Sequence, residues 1–326
     1  MQRLIAIALF LPVVAACGVT RPKEAEEDPA GRPVVASPAD ETSPTAGPGW
    51  LAWTCGSTPA EAVVLELGVV ELRRSGGPAR PISEPGVLSA AGGGDERTVV
   101  IQEVRGGRSD LKLYDVARGT LREPPRGVNT RAWEWRGEIS GRWLMFGRIA
   151  FERRLYQVVL HDLATGRERV LAAVSGHGAY AEPGQLNGRY AVWASCPDNV
   201  CTLYRLHIGD RKPLMIPAPR LYQDVYYAPS VTPAGVVYYA EGRQGCGWQV
   251  RIMRYLPGRL AQRVAALPPG YDLRFTTAVD DDGVTRVVYD RVRCASKRFD
   301  LYEIEDRLAS PPAVSPPSTG MTAPVR

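Results

Sequence analysis

The sequence predicts an all-β protein, a β-propeller of six blades with four antiparallel strands in each. Three observations predict it. Six glycines, Gly47, Gly94, Gly141, Gly188, Gly235 and Gly283, recur at steps of 47, 47, 47, 47 and 48 residues. Each opens a short run such as "GRWLMFGR", "GRYAVWAS" or "GVVYYAEG", rich in the Val, Tyr, Trp and Phe that suit a pleated surface. No long stretch has the 3.6-residue apolar period of an amphipathic helix. A repeat of this length fits a four-stranded propeller blade. An open row of such sheets would leave two apolar faces in water, so closure into a ring is expected.

The head of the chain precedes the repeats. Residues 1–16 start with one positive charge at Arg3 and run almost wholly apolar to Ala16. Roughly a dozen apolar residues are too few for a bilayer core, which needs about 20, so the segment reads as a signal peptide. Its end, Val14-Ala15-Ala16-Cys17-Gly18, resembles the lipobox of bacterial lipoproteins. That resemblance implies cleavage before Cys17, a diacylglycerol on its thiol and a further acyl chain on its amine. At about 0.8 kcal/mol per buried CH₂, two or three chains make a durable membrane anchor. In enterobacteria an Asp after the cysteine retains a lipoprotein in the inner membrane. Gly18 stands there here, so the implied address is the cell envelope, facing the periplasm, with the outer membrane favoured over the inner. Residues 17–47 are Pro-, Ala-, Glu- and Thr-rich, and read as a tether with a mean reach of roughly 30 Å.

Residues 48–309 carry the blades. After each glycine-led run comes a second one, "LKLYDVARG", "LYQVVLHDLATG" or "LYRLHIGD", whose alternation is that of a half-buried strand and whose Asp/Gly end is a turn. A third run, such as "RERVLAAV", completes the outward hairpin, and a segment such as "RAWEWRGEIS" precedes each glycine. The first unit lacks an obvious first strand and the last lacks a fourth. One end of the chain is therefore expected to complete a blade begun by the other, with "PVVAS", residues 33–37, as the latch. A five-bladed ring with residues 48–85 as an appendage is the alternative. Residues 310–326, rich in Pro, Ser and Thr, read as a loose tail.

The "LYQVVLHDLATG" wording resembles the WD40-like repeats of TolB-type periplasmic propellers. The resemblance implies a fold and no inherited site. The family's Ser-Pro-Asp-Gly before the second strand is replaced by Ile139-Ser140-Gly141, Leu186-Asn187-Gly188 and Asp281-Asp282-Gly283, and TolB's N-terminal α/β domain has no counterpart.

Five cysteines follow Cys17. Cys196 and Cys201 flank the tip "PDNV" of a hairpin and are expected to form a disulfide. Cys246 and Cys294 each lie 11 residues after their blade glycine and share a rim, so they are a second candidate pair, leaving Cys55 free. Cys55 with Cys294 is the alternative. With no paired CxxC and only three histidines, no metal site is expected, and no cofactor.

The net charge of +5 rests almost wholly on arginine. Loops between second and third strands place Arg105, Arg108, Arg153, Arg154, Arg243, Arg291, Arg293 and Arg298 on one face, as a solvated rim or as a surface for an anionic partner. Nucleic acid is not expected in the envelope. Trp133, Tyr180, Tyr227 and Phe275 each lie eight residues before a blade glycine. They read either as packing between blades or as a stacking surface at the channel mouth.

Catalysis has little to rest on. "GxSxG" is absent, the carboxylates Glu134, Glu182, Asp224 and Asp272 fall at differing offsets, and "DDDG" lacks the spacing of an EF-hand. The expected function is an envelope lipoprotein whose propeller binds a protein or glycan partner. A propeller hydrolase or lyase acting on a cell-wall polysaccharide is the alternative.

Overall fold

The computed structural model describes residues 30–35, 39–56, 67–198, 200–217, 225–242, 249–281, 283–296 and 298–307. Their strands form six four-stranded antiparallel sheets. β1 (Arg32–Val35) comes first. Blade 1 is β2 (Glu41–Gly47), β3 (Trp50–Cys55), β4 (Val69–Arg74) and β5 (Ala79–Pro81). Blade 2 is β6 (Leu88–Gly94), β7 (Thr98–Arg105), β8 (Arg108–Asp115) and β9 (Thr120–Arg122). Blade 3 is β10 (Trp133–Ser140), β11 (Trp143–Ala150), β12 (Leu155–Asp162) and β13 (Glu168–Ser175). Blade 4 is β14 (Tyr180–Asn187), β15 (Tyr190–Cys196), β16 (Thr202–His207) and β17 (Leu214–Met215). Blade 5 is β18 (Val225–Val231), β19 (Val237–Gly242), β20 (Arg251–Tyr255) and β21 (Gln262–Ala266). Blade 6 is β22 (Tyr271–Asp281), β23 (Val284–Arg293) and β24 (Arg298–Asp306), with β1 as its outer strand.

Six blades, not five, make the ring, and the latch lies where the sequence puts it. β1 pairs antiparallel with β24, Arg32 opposite Glu303 and Val35 opposite Leu301, and the Arg32 Nε donates to Glu303 Oε1 at 2.6 Å. The boundary drawn at residue 47 is corrected: β1 and β2 both lie before it and belong to the propeller. "ETSPTAG" reads as tether because it has no aliphatic alternation, yet all seven of its residues are buried. An innermost strand sits where six sheets converge, and small side chains fit there.

The core is a ring of six clusters, one between each pair of neighbouring blades. Tyr227, Tyr238 and Tyr289 lie between blades 5 and 6, for example, and Leu111, Leu144 and Phe146 between blades 2 and 3. At the seam, Val35, Trp53, Val288 and Leu301 join blade 6 to blade 1.

Every innermost strand carries the same irregularity. Two residues bulge opposite one on the second strand: Ser43-Pro44, Gly92-Gly93, Arg136-Gly137, Gly184-Gln185, Ala228-Pro229 and Arg274-Phe275. Pro is tolerated in these strands because they are sheet edges and the bulge frees its position from the ladder. Ser43, Arg136 and Ala228 adopt left-handed φ values of 52°, 49° and 51°. Neighbouring bulges approach closely: a Cβ on Gly184 would stand 2.3 Å from the Pro229 carbonyl oxygen of the next blade. Gly184→Ala is therefore expected to force blades 4 and 5 apart and cost about 1–3 kcal/mol, read as a lower urea midpoint.

Candidate functional site

Turns between first and second strands lie on one face of the ring, here the turn face. Loops between second and third strands lie on the other, the loop face, where the candidate side chains were expected. Between the faces, side chains cross from blade to blade. Arg136, aimed inward by its bulge, crosses from blade 3 to blade 6 and lays its guanidinium 4.1 Å from the Phe275 ring centroid. It also ion-pairs with Glu182 of blade 4. Beside it Gln185 of blade 4 reaches Thr277 Oγ1 at 3.2 Å and the Ala278 carbonyl at 3.0 Å in blade 6, and accepts from Val231 N of blade 5 at 3.0 Å. Glu138 lies against Gly93 of blade 2 and accepts the Leu186 N–H of blade 4. Burial pushes its carboxyl up to about 8, against the pull of Arg136, while burial brings the Arg136 guanidinium down to about 10.

On the loop face the four aromatics part company. Trp133 heads β10, half-buried, and meets Phe151 edge-on at 5.4 Å and 87°. Tyr180 heads β14 and its hydroxyl donates to Cys201 Sγ at 2.8 Å; burial raises its pKa. Tyr227 is 1% exposed and donates to Asp272 Oδ1 at 2.8 Å, its hydroxyl raised well above the usual phenol by burial. Phe275 is buried beneath Arg136. Of the two readings, Tyr227 and Phe275 thus take the interior one and are not part of a stacking surface at the mouth.

The basic rim also thins. Arg291 is buried, stacked on Tyr302 at 3.5 Å and Tyr271 at 4.4 Å. Arg293 lies outside it, with its Nε 3.2 Å from the Tyr271 hydroxyl. Arg105 pairs with Glu84 and Glu103, and Arg108 donates to the Thr130 carbonyl at 2.6 Å. Arg243 lies outside the described residues.

Arg153 and Arg154 remain fully outward. They belong to a 3₁₀ turn, Phe151–Arg153, closed by left-handed Arg154 (φ 47°), whose N–H donates to the Phe151 carbonyl at 3.1 Å. Phe151 is 56% exposed. Trp133, Phe151, Arg153 and Arg154 thus make a raised knob of apolar edges and cations on blade 3. Phe151 was missed because its run "RIAFERR" reads as a charged loop, although an aromatic in so short a connection is a usable signal.

The carboxylates are engaged. Glu134 accepts from Thr130 Oγ1 at 2.6 Å and pairs with Arg148 at 3.2 Å, while Glu182 holds Arg136 and Asp272 holds Tyr227. Asp224 lies outside the described residues. Among the described residues no three His, Cys, Asp or Glu side chains converge as a metal site. Cys196 and Cys201 are joined by a disulfide, with Cα atoms 4.1 Å apart. Cys55 and Cys294 are both disulfide-bonded, so Cys55 is not the free thiol that a Cys246–Cys294 pair would leave; Cys246 lies outside the described residues.

No family model matches the chain, and no curated protein matches it. Solved structures do. The structure from Agrobacterium tumefaciens named for TolB aligns at TM-score 0.53 and 12% identity, over 83% of this chain and 92% of that one. TolB from Acinetobacter baumannii aligns at TM-score 0.52 and 12% identity, over 78% of this chain and 64% of that one, so this chain spans just under two thirds of it. At such identity the likeness is one of fold, and the fold is the TolB-type six-bladed propeller.

Proposed function

We propose that this protein is an envelope lipoprotein, held to the membrane through acylated Cys17, whose propeller docks a protein or glycan partner of the envelope on its loop face. The observation that carries the docking surface is the knob on blade 3. Phe151 leaves more than half its surface in water while packed on Trp133, and two arginines without an acidic partner among the described residues flank it. Aromatic anchors beside arginine are the composition of interface hot spots. On the loop side the axis is crossed by Arg136 and Gln185, while its opposite, turn-face mouth is a cavity of about 470 Å³ lined by Gly47, Asp95, Gly141, Asn187, Pro233 and Asp280. The envelope address is supported by the lipobox wording around Cys17, and Gly18 favours the outer membrane.

Affinity purification from solubilised membranes tests this reading. The wild type is expected to retain a stoichiometric partner that Phe151→Ala with Arg154→Glu loses by tenfold or more. The melting temperature should stay within about 2 °C, because exposed side chains contribute little to stability. Equal recovery by both proteins would reject the knob as the contact. A mature N-terminal peptide without acyl mass on Cys17 would reject the anchor.

A further inference from the structure

Among the described residues each of the six sheets ends in a strand paired on one side only, namely β5, β9, β13, β17, β21 and β1. Such an edge is a row of N–H and C=O groups onto which another chain can add, and short strands and prolines blunt it. Five of the six are blunted in that way. They run from two to five residues. Each contains a proline or has one within two residues: Pro33, Pro81, Pro124, Pro213 and Pro268 in β1, β5, β9, β17 and β21. β13 differs on both counts. It has eight residues, "ERVLAAVS", and no proline lies between Arg126 and Glu182.

β13 is also held in place. Leu171, Ala172 and Val174 pack on the cluster between blades 3 and 4, and the Arg169 guanidinium donates to the Asp210 and Arg211 carbonyls at 2.8 and 2.7 Å. Glu168, Val170, Ala173 and Ser175 stay exposed, Val170 at 48%. Asp162 N donates to the Arg167 carbonyl, and the alternation of an antiparallel ladder then turns the N–H groups of Glu168 and Val170 away from β12. Leu171 bulges from that ladder, and pairing resumes at Ala172.

This edge leads up to the knob. Ser175, its last residue, lies opposite Leu155, which follows Arg154. At about 4.8 Å between strands, a strand added to β13 would run roughly 10 Å from β12. Arg153 and Arg154 outnumber Glu152 in the knob, so an acidic residue suits the loop-face end of such a strand. An extended polypeptide repeats its N–H and C=O groups every two residues, about 6.8 Å, as this edge does, and a glycan has no such repeat. We infer that the partner is a protein that adds an extended segment to β13 as a fifth strand of blade 3, with an acidic residue reaching the knob. This inference rests on the docking surface proposed above and names the partner's class.

The test produces the full chain in its own cells with a photo-reactive amino acid at position 151, 173 or 175. Mass spectrometry of the cross-linked peptides is expected to find one other protein at all three positions. Its contacts with 173 and 175 should fall two residues apart in one segment, the step of a paired strand. Val170→Pro removes an outward N–H and is expected to lower cross-linking at 173 at least tenfold. Val170→Thr keeps that N–H and should stay within twofold of the wild type. The two-residue step carries the test by itself if the proline variant melts early. Links to a glycan, to a second copy of this chain or to residues scattered over the partner would overturn the inference, as would a folded proline variant that cross-links like the wild type. Cross-linking at 151 with silence at 173 and 175 overturns the added strand alone, whereas silence at all three overturns the docking surface with it.

Discussion

Asp290→Ala is expected to lower stability by about 3–5 kcal/mol, the largest loss from any single substitution argued for this ring, and equilibrium urea unfolding would show it directly. The residue opposite the bulge is Trp53, Val100, Phe146, Val192 and Tyr239 in blades 1 to 5, and Asp290 in blade 6. Its carboxylate is wholly buried. One oxygen accepts the N–H groups of Arg274 and Phe275, both at 2.8 Å, inside its own blade. The other accepts Thr42 Oγ1 at 2.9 Å and Ser43 N at 3.4 Å in blade 1. Alanine would leave donors from both sides of the seam buried without an acceptor. Asn, which replaces one acceptor oxygen by a donor, should recover only part of the loss. A change below about 1 kcal/mol for alanine would show that the seam is held by apolar packing alone.

Glu138→Gln is expected to do the reverse at high pH and stabilise the protein. Unfolded, the Glu138 carboxyl ionises near 4.5; folded, burial raises it to about 8. Between those values the folded protein binds the extra proton. The contribution to stability is therefore complete below pH 4.5, declines as pH rises and is gone above about pH 8. Asp290, also raised by burial, pulls the same way, whereas Arg136, paired with Glu182 and facing both acids, limits the cost. Glutamine keeps an acceptor for the Leu186 N–H and cannot ionise. The variant should gain on the wild type by up to about 1.4 kcal/mol per pH unit across this window, on the order of 4 kcal/mol at pH 9. Urea midpoints from pH 5 to 9 that run parallel for the two proteins would show that Glu138 ionises normally.

The blade period was legible because second strands such as "WLMFGR" and "YAVWAS" are strongly β-forming and follow turn glycines. First strands were harder to read. "ETSPTAG" and "LSAAGGG" lie at the crowded axis, where small residues and bulges replace alternation. The aromatic register failed for a related reason: the distance from bulge to turn varies between blades. Eight residues before the glycine is the first residue of β10 and β14, but the third of β18 and the fifth of β22. One offset therefore points to different depths. Arg136 and Glu138 look like surface charges in "RAWEWRGEIS", because the groups that compensate them come from other blades, Glu182 lying 46 residues away.

β1 also sets an order of events. Its partner strand lies 271 residues downstream, measured from Arg32 to Glu303. As the chain is synthesised, its leading strand has nothing to bind until β24 arrives. Contacts so distant in sequence are slow to form, and until then β1 and the outer edge of blade 6 stay open to solvent and to other chains. Arrival of β24 is thus the step that ends this exposure, and a truncation that removes it would leave the leading strand permanently unpaired.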